Sequence, residues 1–397
     1  MFGNRVIRTI LGGAAQTMLK IDLITRDYNG EINGLSRYDR ALYEGLSVRN
    51  DLQIAIRPVQ APRSRILDGV RRATGLDLAT FLSVYPAMLP DCHGTLRHIT
   101  TNSHTTALLC AASRPTIVTV HDIIHYTHRY DQRLSTYQHS VQQLADTLSL
   151  YNLRYATMVI ASSNDTKQQL VSQLNLPANQ IIVIPLGVDT NRFFPQVVPA
   201  SFYERYRLDT STPYVLHISS EEPRKNIETL LRAWVLVQRE YPNAMLLKVG
   251  RCLYPTERVR LLALISELGI SASVRFIDAV PDEDLPLFYN AARVFAFPSL
   301  AEGFGFPVLE ALACCTAVVC SDAPALTEIV EGVALQHTAA DDQALASAIK
   351  TLLGNISFCD RMSQAGLHRA ADFSWSRTMD RTYDLYIETI LGSRTVL

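Results

Sequence analysis

The chain has no stretch of about 18 consecutive apolar residues, which excludes a membrane-spanning helix as its organising element. It also lacks an excess of either charge. Its 37 Lys and Arg against 38 Asp and Glu leave a formal charge of −1, without the basic surplus of a general nucleic-acid binder. Cysteine is sparse and odd in number: Cys92, Cys110, Cys252, Cys314, Cys315, Cys320 and Cys359. None of these pairs has the Cys-x2-Cys spacing of a zinc site, so reduced, mostly buried thiols of a cytosolic protein are expected. Two nucleotide signatures are missing as well, the Gly-x-Gly-x-x-Gly fingerprint and the Lys of a phosphate-binding P-loop, which removes support for a dinucleotide dehydrogenase or a nucleotide triphosphatase. No repeat of 20–50 residues and no low-complexity tract is present.

The composition is that of a large globular protein. Hydrophobic residues make up 48% of 397 positions and charged ones 19%, enough to bury a core in each of two domains. Short apolar runs alternate with helical patterns. Strands are expected at 20–24, 52–56, 97–100, 116–120, 158–161 and 181–184, with helices over 34–46 and 137–155 between some of them. After a Pro-rich stretch around 185–199 the alternation restarts, with strands at 214–218, 244–249, 274–277, 294–297 and 317–320. Such alternation predicts an α/β protein of two doubly wound, Rossmann-like units with parallel sheets facing each other across a cleft. The expected division is a leader at 1–17, a first domain at 18–195, a second at 196–372, and a final helical segment at 373–397. Arg5 and Arg8 before the short apolar run at 9–15 fit a leader better than a signal peptide.

Four segments carry candidate chemistry. Ser299 to Glu310 follows a buried strand. Gly303 and Gly305 would let backbone approach a ligand, Pro307 suits a first helical turn, and the helix amides would face an anion such as a pyrophosphate. Glu302 and Glu310 flank that turn, and a carboxylate suits the vicinal hydroxyls of a sugar. Glu222-Pro223-Arg224-Lys225-Asn226 places two cations at a strand-to-helix turn, with Asn226 as a candidate helix cap. Cations there oppose the helix dipole unless an anion is present, which points to phosphate. His121 stands at the end of a buried strand, where Asp122 could orient it or hold its charge. The nearby His125, His128 and His139 fit neither a His-Glu-x-x-His nor a Cys/His metal spacing. Gly34 opens a probable helix at the first strand-to-helix turn. Each segment alone also fits an ordinary loop or turn.

Taken together and in order, these segments closely resemble the family 4 glycosyltransferases of GT-B architecture. The matching residues are Asn33-Gly34 to Tyr38, Val120-His121-Asp122, Ile184 to Asp189, Glu222 to Asn226, and Phe297 to Glu310 with its Glu-x7-Glu pattern. The resemblance runs over about residues 18–390. It implies a retaining, metal-independent transferase using a nucleotide diphosphate sugar. Carried over, Arg224 and Lys225 would bind the diphosphate, and Glu302 the donor sugar. Glu310 would take the ribose hydroxyls, His121 the donor sugar across the cleft, and Gly34 would lie near the phosphate. Phe304, Gly305 and Leu309 would complete the donor site. The resemblance also implies that the final helix, with Trp375, Met379, Tyr383, Tyr386 and Ile390 in one stripe, crosses back onto the first domain.

Cys315 and Ala317 stand where the family often has Gly and Pro, and Asn33 and Ser36 where it often has Gly. Tyr126, Arg129 and Tyr130 are most like the mannosyltransferase-like branch, which favours GDP-mannose as donor and a glycan or lipid-linked glycan as acceptor. Arg57, Arg63, Arg65, Arg71 and Arg72, interspersed with Ile66, Leu67 and Val70, could rest on anionic lipid at the inner face of the membrane, or form a basic loop over the acceptor cleft. Two other readings remain on the same architecture, a sugar-nucleotide epimerase and a non-catalytic partner subunit.

Overall fold

A computed structural model of the chain describes residues 18–25, 34–59, 65–74, 94–110, 114–131, 134–135, 137 and 140–394. Two six-stranded sheets organise it. The first contains β1 (Leu19–Thr25), β2 (Leu52–Pro58), β3 (Leu96–Ile99), β4 (Thr116–Val120), β5 (Met158–Ala161) and β6 (Ile181–Val183) in the order β2-β1-β3-β4-β5-β6. The second contains β7 (Tyr214–Ile218), β8 (Met245–Val249), β9 (Val274–Ile277), β10 (Val294–Phe297), β11 (Ala317–Ser321) and β12 (Leu335–His337) in the order β12-β11-β10-β7-β8-β9. Every recorded pairing in both sheets is parallel. Parallel strands covered on both faces read as continuous apolar runs, and β4, β10 and β11 are buried throughout.

The strand expectations agree with these spans to within a residue or two at each end. The exception is β12, which the sequence reading did not include. Its three residues, Leu335-Gln336-His337, are too few to display a period.

Helices relevant to the site are α1 (Gly34–Ser47), α2 (Arg65–Thr74), α3 (Ser140–Asn152), α4 (Asn164–Leu174), α5 (Ile227–Glu240), α6 (Phe306–Ala313), α7 (Pro324–Val330) and α8 (Trp375–Arg394). Helix α5 buries Ile227, Leu230, Leu231 and Trp234 against the second sheet, the spacing its sequence displays. Helix α6 ends on Cys314, and Cys315 then takes φ +58°, a left-handed conformation that glycine adopts with least strain. The leader, Asn33, Cys92 and His139 lie outside the described residues.

Helix α8 runs against the first lobe. Met379, Tyr386 and Ile390 are buried, and Gly45 of α1 packs directly against Met379. Arg49 lies 4.0 Å over the Tyr383 ring and pairs with Asp380. Tyr386 begins a buried polar chain into the first sheet. Its hydroxyl lies 2.6 Å from His98 Nδ1, His98 Nε2 lies 2.8 Å from Thr119 Oγ1, and Thr119 Oγ1 lies 2.8 Å from the Tyr38 hydroxyl. At the equivalent depth in the second lobe His217 contacts the Ala296 carbonyl at 2.9 Å and Ser219 Oγ at 2.7 Å.

Burial pushes both His98 and His217 down to about 3, so each is neutral in the folded protein. Their stabilising effect is complete above the ordinary histidine value of 6.5 and is lost as pH falls toward 3, because only the unfolded chain takes up a proton in that window. Stability should therefore decline below pH 6.5 by about 1.4 kcal/mol per pH unit for each histidine. Urea unfolding measured from pH 8 to pH 4 checks this, and His98→Gln should flatten the slope.

Candidate active site

β7 and β10 are neighbours at the point where the strand order of the second sheet reverses. The loops leaving their carboxyl ends splay apart there and open a crevice for a ligand. The loop after β7 tightens into a single turn, Pro223–Lys225, and the loop after β10 brings Glu302 opposite it. Lys225 Nζ lies 2.6 Å from Glu302 Oε1, and Arg224 Nη1 lies 3.1 Å from Oε2. Ser299 Oγ donates to the same Oε1 at 2.6 Å. Arg224 also pairs with Glu222 through Nε at 3.0 Å and donates to the Ala301 carbonyl at 2.9 Å.

Glu302 and Lys225 are buried and Arg224 is half-buried. Burial alone would raise the Glu302 carboxyl, but the charges of Lys225 and Arg224 outweigh it and hold the group at about 2. Burial lowers Lys225 despite the pull of Glu302. Burial acts against Arg224 too, yet Glu302 and Glu222 raise it above its ordinary value. The sequence pattern points to two cations awaiting an anion, whereas Glu222 and Glu302 already balance them. Asn226 also departs from expectation. It takes φ +55° and makes no side-chain cap; its amide instead donates to the Pro298 and Ala339 carbonyls at 3.1 and 2.6 Å, tying three loops together.

His121 follows β4, and its carbonyl oxygen lies against Gly303, the residue after Glu302. Its Nε2 contacts the Thr100 carbonyl at 3.1 Å, and the Tyr38 ring meets it edge-on at 4.8 Å. Burial lowers its pKa, with Asp122 and the Thr100 carbonyl opposing, so the ring is neutral near pH 7. Thr100 and Tyr38 therefore set the ring's orientation, not Asp122, whose Oδ1 accepts from the Ile124 amide at 3.2 Å.

Gly303 is tight against the opposite lobe and not against an open ligand space. A Cβ there would collide with the His121 carbonyl oxygen and the Asp122 side chain. Its own carbonyl accepts from Ser162 Oγ at 3.0 Å and Ser163 Oγ at 2.9 Å. A second bridge lies beside it, where Glu328 of α7 accepts from the Asn164 and Asp165 amides at 2.8 Å each and so caps α4 of the other lobe.

Gly305 takes φ +113° before α6, and Pro307 occupies the first turn as its sequence suggests. Phe304 is buried and meets the Phe306 ring edge-on at 5.5 Å. Leu309 is wholly buried, and its amide closes the first helical turn onto the Gly305 carbonyl, so it supports the loop from the core side. Gly34 lies across from the Phe306 ring, at ordinary contact distance for a Cβ. Glu310 is buried one turn into α6. Arg37 of α1 pairs with its Oε1, and the Tyr289 hydroxyl donates to Oε2 at 2.8 Å.

A cavity of about 860 Å³ borders this pair, lined by Arg37, Arg192, Asp282, Phe306, Glu310 and Trp375 among others; Arg224, Lys225 and Glu302 are not part of its wall. Arg37, Glu328 and Ser162 escape sequence reasoning because their partners lie 273, 164 and 141 positions away, and Tyr289 because it meets Glu310 only through packing of separate elements. Among the described residues no group of three or more His, Cys, Asp or Glu is placed to hold a metal ion.

Two Rossmann-like lobes meeting over their strand ends, with a Glu-x7-Glu loop entering a helix, form the arrangement of a GT-B glycosyltransferase. Residues 202–369 match the family described as glycosyl transferases group 1, and residues 32–192 match glycosyltransferase family 4. O-antigen chain mannosyltransferase B of Escherichia coli is 31% identical over 68% of this chain and 69% of its own length. Serotype-specific mannosyltransferase WbdA of Escherichia coli is 28% identical over 61% of this chain, a match that spans only 30% of WbdA. Among solved structures, sucrose-phosphate synthase (tll1590) from Thermosynechococcus elongatus superimposes with a TM-score of 0.74 at 22% identity, covering 94% of this chain and 100% of that one. The chain belongs to the family 4 glycosyltransferases, in their mannosyltransferase-like branch. It is a transferase enzyme.

Gly303→Ala tests the contact between the lobes. The added methyl meets backbone, which has little freedom to yield. Sugar-transfer kcat/KM should fall at least tenfold, about 1.4 kcal/mol in the barrier, while the thermal unfolding midpoint stays within a few degrees of the parent.

Proposed function

We propose that the protein moves mannose from GDP-mannose to a growing glycan or lipid-linked glycan, with retention at the anomeric carbon and without a metal. The reading is supported most by the cluster of Arg224, Lys225 and Glu302 at the switch point of the second sheet, beside Gly303, which meets the His121 carbonyl across the lobe contact. The mannosyltransferase relatives favour the donor, and the O-antigen relative favours a glycan acceptor.

In this mechanism Arg224 and Lys225 exchange part of their pairing with Glu302 for the donor diphosphate. As the glycosidic C–O bond breaks, negative charge grows on the leaving phosphate, and fixed cations stabilise it most at that moment. The freed carboxylate of Glu302 accepts from donor-sugar hydroxyls, and Glu310 accepts from the ribose diol. Neutral His121 contacts the sugar from the other lobe. The departing phosphate takes the acceptor proton on the same face, so no second carboxylate flanks the anomeric carbon as in a retaining hydrolase. Gly34, Phe304 and Gly305 shape the turns beside the phosphates.

We further propose a cytoplasmic enzyme that touches the membrane surface through α2, where Ile66 is exposed. Arg57, one-third exposed, pairs through its Nε with buried Asp22 at 3.0 Å. Arg63 lies outside the described residues.

Nucleotide release and ligand-induced thermal shifts test the assignment. GDP should raise the unfolding midpoint more than UDP or ADP. Glu302→Ala should cost at least 100-fold in kcat yet keep or tighten GDP binding, because two cations lose their internal competitor. Lys225→Ala should weaken both. Unchanged activity in both variants would remove the site assignment.

A further inference from the structure

Arg37 belongs to the first turn of α1, in the lobe opposite the one that holds Glu310. Its Nη1 pairs with Glu310 Oε1, and its Nη2 lies 3.5 Å from Asp282 Oδ1. Asp282 is held in turn by Arg192 at 2.5 Å, and the Phe193 ring lies 4.8 Å from the Arg192 guanidinium and 6.0 Å from that of Arg37. Glu310 is only 3% exposed, so its charge needs a partner in the folded protein. Arg37 is the cation placed to supply it, and the other contact, Tyr289, is neutral at ordinary pH, since burial raises its hydroxyl pKa.

A carboxylate offers about four acceptor positions. Arg37 takes one on Oε1 and Tyr289 takes one on Oε2, which leaves one on each oxygen. That remainder matches a vicinal diol, which presents one O–H to each oxygen. If the ribose displaced Arg37, Glu310 would be left buried with neutral donors alone and its charge uncompensated.

We infer that Arg37 is a positioning residue for the donor nucleoside: from the acceptor-side lobe it neutralises and orients Glu310 so that both carboxylate oxygens stay open to the ribose diol. The inference rests on the donor reading above, since it takes Glu310 as the ribose contact. It ties donor affinity to the apposition of the lobes, because the carboxylate has its counter-charge only when α1 is in place.

The test is a calorimetric comparison of GDP with 2′,3′-dideoxy-GDP on the full chain and on Arg37→Gln and Arg37→Lys. The parent should bind GDP at least tenfold more tightly than the dideoxy compound. Arg37→Gln should lose at least tenfold for GDP and little for the dideoxy compound, and Arg37→Lys, which keeps the charge, should recover part of the loss. In steady state, donor KM should rise while kcat changes less than threefold. Equal weakening of both ligands in Arg37→Gln, or tighter GDP binding from release of a competitor, would overturn the inference. So would full GDP affinity in a folded Arg37→Gln. If Arg37→Gln does not fold, Arg37→Lys decides by the same ratio. A parent that binds no nucleotide diphosphate overturns the donor reading itself, and one that binds both compounds equally overturns the ribose role of Glu310. Both outcomes are read before any variant is compared.

Discussion

A buried carboxylate held between two cations organises the second lobe's functional face. Glu302 ties the loop after β10 to the turn after β7 through Lys225 and Arg224. Without that pairing, buried Glu302 and Lys225 would each lose the counter-charge that offsets their desolvation, while Arg224 would keep only Glu222. The pairing also sets the conformations around it. The Leu300 amide donates to the Arg224 carbonyl, and Ser299 Oγ contacts both that carbonyl and Glu302. With the loops locked, Gly303 is presented to the other lobe at a fixed height, and the closeness of that approach leaves no room for a side chain.

The chemistry and the architecture are connected through backbone more than through side chains. His121 is placed by the Thr100 carbonyl, and the carbonyl of His121 itself accepts from Ser162 Oγ at 2.6 Å. Ser162 also reaches Gly303. One serine thus ties together the strand end that carries the imidazole and the loop that carries the carboxylate. From the far side, Tyr386 of the returning helix joins His98, Thr119 and Tyr38, whose ring rests against His121. The returning helix therefore helps fix the His121 ring.

How much of this was legible depended on how local the cause was. Strands such as Thr116–Val120 and Val294–Phe297 are buried on both faces, and their unbroken apolar runs state as much. The turn bearing Arg224 and Lys225 and the loop bearing Glu302 were each visible as a conflict or an oddity of local chemistry. What the sequence could not express was the pairing between them, since residues 77 positions apart leave no joint pattern in a single chain. Asp122 illustrates the opposite error. Adjacent to His121, it invited an orienting role, but successive residues beyond a strand end point different ways, and its carboxylate turned to the Ile124 amide. Arg57 reads as one of a row of cations, and its ion pair with buried Asp22, two residues before its register partner Ile24, was not legible either.

Glu328 resting on the first turn of α4 has a consequence for salt sensitivity. The seam between the lobes is stitched there by charge and dipole, and beside it by hydroxyls on a carbonyl, with little oil in those joints. Water can replace such contacts at modest cost, whereas it replaces apolar ones poorly. Dissolved salt, by shielding the carboxylate, therefore weakens this part of the seam more than it weakens the apolar contacts elsewhere.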